Sequence, residues 1–373
     1  MSITLPVPST THTNSLEHSD GAVTSAQGAF DEELLVRRIV PVTHDVTSFV
    51  LEAPTGAPLR FDPGQHVRIT VTVDGQELQR SFTIASPPTR PAGLTLTIKR
   101  HPGGVVTSWL HERLRTGDRV RVQGPFGAFS CRGYPASPTL ELPGGGYLFL
   151  SAGSGITPLM SMARTLADEG SDADIAFVHS ARTPADIIFR RETAALAESG
   201  LSLRALTVCE TDSVAERWEG PRGRLGRDLL RWAVPDAADR EVFLCGPAGY
   251  MDATRQLLLD LGVVPERIHQ ESFTVAEPVA PAPASGTART VQLRRSGRTV
   301  SCDEAHTVLE TLEAAGVRLP SSCRQGMCGT CKLTLVEGRV DMAHQGGIRP
   351  REIQRGGFLP CCSRPETDLV IDA

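Results

Sequence analysis

A chain of 373 residues exceeds one ordinary domain of roughly 100 to 150 residues and predicts two or three packed units. Hydrophobic residues make up 40% of it, charged residues 22%, and the net charge is -5, so no basic field calls for nucleic acid. No apolar run approaches the roughly 20 residues that span a bilayer, and residues 1–30 carry neither an apolar stretch nor a basic leader, which argues against integral membrane association and for a cytoplasmic location. Nine cysteines, odd in number and with five between residues 323 and 362, favour metal ligation over disulfides.

Residues 1–33 are poor in large apolar side chains and predict a floppy tail. Residues 34–142 alternate β-rich runs, such as Val67 to Val73 and Leu94 to Ile98, with Pro and Gly turns, which predicts an antiparallel barrel. Within it Arg80-Ser81-Phe82-Thr83 offers a guanidinium for a phosphate, a ring for stacking and a small hydroxyl, a set suited to a flavin. By itself this is an ordinary alternating strand. Gly103-Gly104-Val105-Val106-Thr107-Ser108 leads into Trp109-Leu110 and predicts a short helix whose N–H groups and hydroxyl receive a pyrophosphate.

Residues 143–275 change rhythm to apolar strands separated by helical stretches, which predicts a parallel α/β sheet. After strand Tyr147 to Leu150 comes Ser151-Ala152-Gly153-Ser154-Gly155-Ile156-Thr157-Pro158, where Gly153 and Gly155 permit close backbone approach and Thr157 is the expected helix N-cap. It departs from the Rossmann fingerprint. Cys245-Gly246-Pro247-Ala248-Gly249 follows strand Val242 to Leu244, so both loops lie at strand carboxyl ends, where open α/β sheets bind ligands. Beyond strand Ile175 to His179, Arg182 suits a 2'-phosphate and Asp186 suits ribose hydroxyls.

Residues 276–289, rich in Ala and Pro, predict a semi-extended linker before a last unit at 290–373. There Cys323, Cys328, Cys331 and Cys361 are separated by four, two and 29 residues, the spacing of three thiolates from one loop and a fourth from afar that a 2Fe-2S cluster needs. Gly326 and Gly329 let loop N–H groups turn toward cluster sulfur. Structural zinc would favour two short knuckles, and only one is present. Cys362 competes with Cys361, and in an extended segment only one of the two neighbours reaches the cluster.

The last unit resembles plant-type ferredoxins, and Leu359-Pro360-Cys361-Cys362-Ser363-Arg364-Pro365 resembles the fourth-ligand segment of ferredoxin domains fused to oxygenase reductases. That resemblance implies a β-grasp fold with Cys361, four positions before the Pro, as the ligand. The flavin motif, glycine segment and nucleotide loops resemble the ferredoxin-NADP reductase superfamily, with Phe82 in place of the usual Tyr. FAD is the expected flavin, with FMN the alternative. The resemblance places Thr83 near the reactive ring and Cys245, Gly246 and Pro247 beside the nicotinamide. Gln270-Glu271-Ser272-Phe273 resembles the terminal Glu-x-Phe of related reductases, so Phe273 either covers the flavin or is simply buried. The Asp186-Ile187-Ile188-Phe189 run resembles that of NADH-dependent members, and Arg182 keeps NADPH open.

The domain order resembles reductases that serve Rieske-type oxygenases, particularly those demethylating quaternary amines, and also hybrid-cluster protein reductases. The implied flow is nicotinamide, flavin, cluster, then a separate oxygenase. Alternatives are a cytochrome P450 or desaturase reductase, a stand-alone diaphorase, a redox sensor, or a zinc-stapled interaction protein. Partner contacts are expected near the cluster, at Arg324, Gln325, Met327 and Arg364, with His344 facing solvent.

Overall fold

The computed structural model describes residues 30–134, 146–198, 200–273 and 288–373, apart from 304, 318, 322, 323, 325, 327, 328, 345, 346 and 349. Six strands, β1 (Phe30–Pro41), β2 (Val46–Glu52), β3 (His66–Val73), β4 (Gln76–Thr83), β5 (Leu94–Lys99) and β6 (Arg119–Phe126), pair antiparallel in the order β4-β3-β6-β1-β2-β5. A bridge between Ile84 and Leu96 joins the outer strands, so the sheet closes as the expected barrel. Val67, Ile69 and Val71 of β3 and Val120 and Val122 of β6 point inward at every second position. Helix α1 (Val105–Arg113) buries Val106 and Leu110 against this core.

The barrel starts earlier than the tail reading of residues 1–33 allows. Phe30 packs on the core, and Asp31 accepts hydrogen bonds from Arg121 at 2.8 and 2.8 Å and from Gln123 at 2.7 Å, so residues 30–33 are tied to β6.

The second sheet consists of β7 (Tyr147–Ala152), β8 (Ile175–Ala181), β9 (Leu203–Cys209), β10 (Glu241–Cys245) and β11 (Ile268–Glu271), all parallel, in the order β11-β10-β7-β8-β9. Its strands are apolar without alternation because both faces are covered. Tyr147, Phe149, Phe177 and Phe243 enter one core with α2 (Ile156–Asp168) and α3 (Arg190–Glu198). Leu148, Leu150, Val178 and Leu244 enter the other with α4 (Arg227–Ala233) and α5 (Ala248–Asp260). Each fully buried Phe contributes about 2 to 3 kcal/mol by leaving water.

The last unit has β12 (Arg289–Leu293), β13 (Thr299–Cys302), β14 (Leu333–Glu337), β16 (Gly357–Phe358) and β18 (Leu369–Ile371) in a mixed sheet, ordered β13-β12-β18-β14-β16. A ribbon of β15 (Val340–Met342) and β17 (Ser363–Pro365) stands beside it, and α6 (Val308–Ala314) and the short α7 (Pro350–Gln354) complete it. Thr307 accepts from the Glu310 amide at 3.3 Å while the Glu310 carboxylate accepts from the Thr307 amide at 2.8 Å, a reciprocal box that starts α6. This is the grasp arrangement expected for residues 290–373. Most of the linker expected at 276–289 lies outside the described residues, and β12 begins at Arg289.

Two buried groups of the second sheet make its stability testable. Arg240 is fully buried and donates to the carbonyls of Tyr147 at 3.2 Å and Asp174 at 3.1 Å and to the carboxylates of Asp174 and Asp236 at 2.5 and 2.7 Å. Replacing it removes four hydrogen bonds and the buried cation facing the Asp174 and Asp236 carboxylates, so Arg240→Ala should lower unfolding free energy by about 3 kcal/mol or more in denaturant titration. His179 is buried beside Ser151 at 2.9 Å, and burial pushes its pKa down to about 4. The unfolded chain therefore binds the extra proton first: stability should be full above about pH 6.5 and fall by up to about 3 kcal/mol as pH drops toward 4. A His179→Gln variant should flatten that pH profile.

Candidate functional site

Strand β4 carries Arg80-Ser81-Phe82-Thr83 to the barrel's end, with Arg80 and Ser81 exposed, Phe82 half-buried and Thr83 buried. Among the described residues the buried Thr83 hydroxyl has no hydrogen-bond partner, which leaves a donor and acceptor open to a ligand. Across the ladder Thr83 is the register neighbour of His66, and His66 in turn neighbours Phe126. His66 Nδ1 lies 3.5 Å from Glu271 Oε1, and both side chains are buried. Glu271 Oε2 likewise has no partner among the described residues. Register pairing sets Glu271 beside Cys245 on β10, so the buried polar groups of barrel and sheet meet at one seam.

The nucleotide loop reaches the same seam. A side chain at Gly155 would run within 2.3 Å of the Cys245 carbonyl oxygen and 2.6 Å of the Gly246 amide, so only glycine lets the two loops touch. Gly153, with φ of +52°, has open space where a Cβ would stand, as does Gly103 with φ of +74°. The Cys245 thiol is fully buried, and burial together with the Glu271 carboxylate raises its pKa well above the ordinary value. It therefore acts as a compact neutral neighbour rather than a nucleophile.

Thr157 is not the N-cap. α2 begins at Ile156 after a tight turn over Gly153–Gly155, which places Thr157 inside the first turn with its hydroxyl donating to the Ser154 carbonyl at 3.0 Å. The amides of this turn are the groups that remain for an anion. The hydroxyl of Thr107 is likewise engaged, donating to the Gly104 carbonyl and accepting from the His101 amide, while Val105 is exposed and Val106 buried at the start of α1.

Arg182 and Asp186 are brought together, at 2.6 Å, rather than presented separately to a nucleotide. Asp186 also accepts from the Thr183 amide and hydroxyl, and these bonds with Arg182 outweigh burial and hold its carboxyl below the usual range. Asp45, His44 and Lys99 of the barrel end stand close by. Phe273, at the end of the described segment, is 42% exposed.

In the last unit Cys331 and Cys361 are buried in one apolar cluster, whereas Cys323 and Cys328, with Gln325 and Met327, lie outside the described residues. The Pro360–Cys362 segment forms a tight helical turn, not the extended backbone expected, because α6 packs on it. Cys362 is partly buried, and a Cβ at Gly326 would come within 2.6 Å of its sulfur and 2.9 Å of the His344 Cα. His344 is half-buried rather than solvent-facing because its segment lies on that glycine; desolvation lowers its pKa. Arg324 pairs with Glu313 at 2.8 Å, and Arg364 is exposed. On its other side the loop meets the barrel: a methyl at Gly329 would lie 3.6 Å from the Cβ of Ala128. Ala128 follows Gly127, where a Cβ would be 3.0 Å from His66 Nδ1 and 3.8 Å from Glu271 Oε1.

His66 and Glu271 escaped the sequence reading as site residues. His66 opens the alternating strand that runs on through Val67 to Val73 and carries no signal of its own, whereas Glu271 was visible only as part of the Gln270–Phe273 segment at the end of a short buried strand.

Comparison with known proteins agrees with this layout. A family model for an oxidoreductase FAD-binding domain matches residues 33–131, one for an oxidoreductase NAD-binding domain matches 149–256, and one for a 2Fe-2S iron-sulfur cluster binding domain matches 291–366. The glycine betaine monooxygenase reductase subunit of Pseudomonas aeruginosa is 37% identical over 349 residues, covering 90% of this chain and 93% of that protein. The stachydrine N-demethylase reductase subunit of Rhizobium meliloti is 38% identical over 341 residues, covering 89% and 94%. Phthalate dioxygenase reductase, described as a modular structure for electron transfer from pyridine nucleotides to a 2Fe-2S centre, superposes with a TM-score of 0.53 at 25% identity over 92% of this chain and 98% of its own. The chain belongs to the ferredoxin-NADP reductase superfamily, in the group of NAD(P)H-dependent oxidoreductases that join an FAD-binding barrel, an NAD-binding domain and a C-terminal 2Fe-2S ferredoxin domain and that includes reductase components of oxygenases.

Proposed function

We propose that this protein carries electrons from NADH to a separate Rieske-type oxygenase acting on a quaternary or related methylated amine, in the cytoplasm. The carrying observation is the seam at Gly127–Ala128, where the buried polar groups of barrel and sheet stand on one side and the cluster loop on the other. When bound, FAD accepts two electrons as hydride and releases them singly to the 2Fe-2S cluster. The amine class rests on the names of the two relatives. The fit of the residues to these groups is physical: two orphaned buried oxygens at Thr83 and Glu271, and open glycine cradles at Gly103 and Gly153.

Each residue has a defined task in this reading. Arg80 and the amides at Gly103 and Val105 to Thr107 hold the FAD phosphates, with Gly104, whose own amide donates to the His101 carbonyl, shaping the loop and Ser81 and Phe82 lining the ring. Thr83 offers its hydroxyl to the reactive edge of the ring, and Glu271, held by His66, keeps a carboxylate oxygen at the nicotinamide position. Gly153, Gly155 and the turn amides hold the nicotinamide pyrophosphate, while Cys245, Gly246 and Pro247 shape the place where the hydride donor lies. Phe273 shields that place from water. Arg182 and Asp186 take the adenine-side ribose; because Asp186 already binds Arg182, a 2'-phosphate would have to break that pair, which favours NADH. Cys323, Cys328, Cys331 and Cys361 ligate the cluster. Arg324 and Arg364 stand nearest the cluster loop as partner contacts.

Anaerobic titration of the purified protein with NADH and then NADPH should bleach flavin and iron-sulfur absorbance together, NADH at the lower concentration. Absence of bleaching with both nucleotides overturns the reading. Cys361→Ser should remove the iron and the cluster absorbance while leaving FAD bound, whereas Cys362→Ser should retain both. The reverse pattern would assign the fourth ligand to Cys362.

A further inference from the structure

Helix α2 begins at the nucleotide loop and runs past the segment that leaves the flavin-motif strand. Thr83 ends β4, and the carbonyls two and three residues later are held from α2, one turn apart: Arg164 Nη1 donates to the Ala85 carbonyl, and the Ser161 hydroxyl donates to the Ser86 carbonyl at 2.7 Å. Ser161 and Arg164 are both buried. Arg164 is fixed on its other edge by a two-pronged pair with Glu192 of α3, at 2.6 and 2.6 Å. Its guanidinium plane lies 4.6 Å from the ring of Phe189. Phe189 has a left-handed backbone with φ of 59°, a conformation a bulky side chain adopts only when its surroundings hold it there. It lies three residues beyond Asp186. One guanidinium on the helix that starts at Ile156 thus touches the strand exit after Thr83, the segment after Asp186, and α3.

Burying a guanidinium demands hydrogen-bond and charge partners, and Arg164 finds them on two separate elements, the Ala85 carbonyl and the Glu192 carboxylate, which also fix its orientation. The outer part of the junction is already tied by Asp168, which accepts from Thr89 and from Arg90 at 2.9 and 2.5 Å at the surface. Backbone placement at Ala85 matters because the Ala85 amide also bonds the Thr95 carbonyl and the Ile84 amide the Gln65 carbonyl, beside His66. A shift of the Ala85 carbonyl is therefore transmitted to Thr83 and His66.

We propose that Arg164 is a positioning residue for hydride transfer: it locks the exit of the flavin-motif strand to the nucleotide-binding helix, so that donor and acceptor rings keep a reactive separation. The proposal rests on the reading of Thr83 and the Gly153–Thr157 loop as the two cofactor sites. Rapid mixing of the FAD-loaded full chain with NADH tests it, alongside amide hydrogen exchange over residues 84–88. Arg164→Met should retain FAD and cluster absorbance, lower the limiting rate of flavin reduction by about ten- to a hundredfold with a much smaller change in the NADH concentration giving half that rate, and speed exchange at Ile84 and Ala85. Arg164→Lys should recover part of the rate, Ser161→Ala should lower it to a lesser degree, and Asp168→Asn should change neither rate nor exchange. Should Arg164→Met fail to fold, Ser161→Ala and Glu192→Gln decide: slowed reduction with faster exchange supports the proposal, and unchanged rates in both overturn it. A wild-type limiting rate in folded Arg164→Met, or an equal loss in Asp168→Asn, also overturns it. If the wild-type flavin is not reduced by either nicotinamide, the reading of the cofactor sites falls instead.

Discussion

At Gly127 three parts of the chain come into contact because no side chain keeps them apart. A Cβ there would press on His66, whose imidazole faces Glu271, and the next residue, Ala128, faces Gly329 of the cluster loop. Electron transfer between groups in separate folding units depends on such close packing, since each added layer of side chains lengthens the path. The barrel supplies His66 and Thr83, the parallel sheet supplies Glu271 and Cys245, and the grasp domain supplies Gly329. Small residues at 127, 128 and 329 let all three meet.

The polar groups at that seam are costly on their own terms. A buried hydroxyl or carboxylate oxygen without a partner forfeits about 1 to 3 kcal/mol, and Thr83 and Glu271 each carry one. The remainder of the structure offsets this with two apolar cores on either face of the parallel sheet, the apolar core of the barrel, and Arg240, which ties the edges of three segments together.

Much of the architecture was legible in local pattern. Period-two alternation in β3 and β6 marked a sheet with one buried face, and uninterrupted apolar runs at Tyr147 and Val242 marked strands covered on both. Errors arose where tertiary contact overrode local preference. Residues 30–33 look like tail but are held by Arg121 and Gln123, ninety positions away. Thr157 has N-cap chemistry, yet the Gly153–Gly155 turn starts the helix one residue sooner. Residues 360–362 look extended, but α6 packs on them as a turn.

The amino-acid order alone determined the sequence of three units, the glycine loops at strand ends and the spacing of four cysteines, because these depend on short-range geometry and residue chemistry. The apposition of His66 and Glu271 across two domains and the hold of Arg164 on the Ala85 carbonyl were decided only by tertiary structure. Each joins residues with no shared periodicity and segments from different folding units. A side chain's partner across such a distance follows from how the domains pack, and no local pattern in the chain records it.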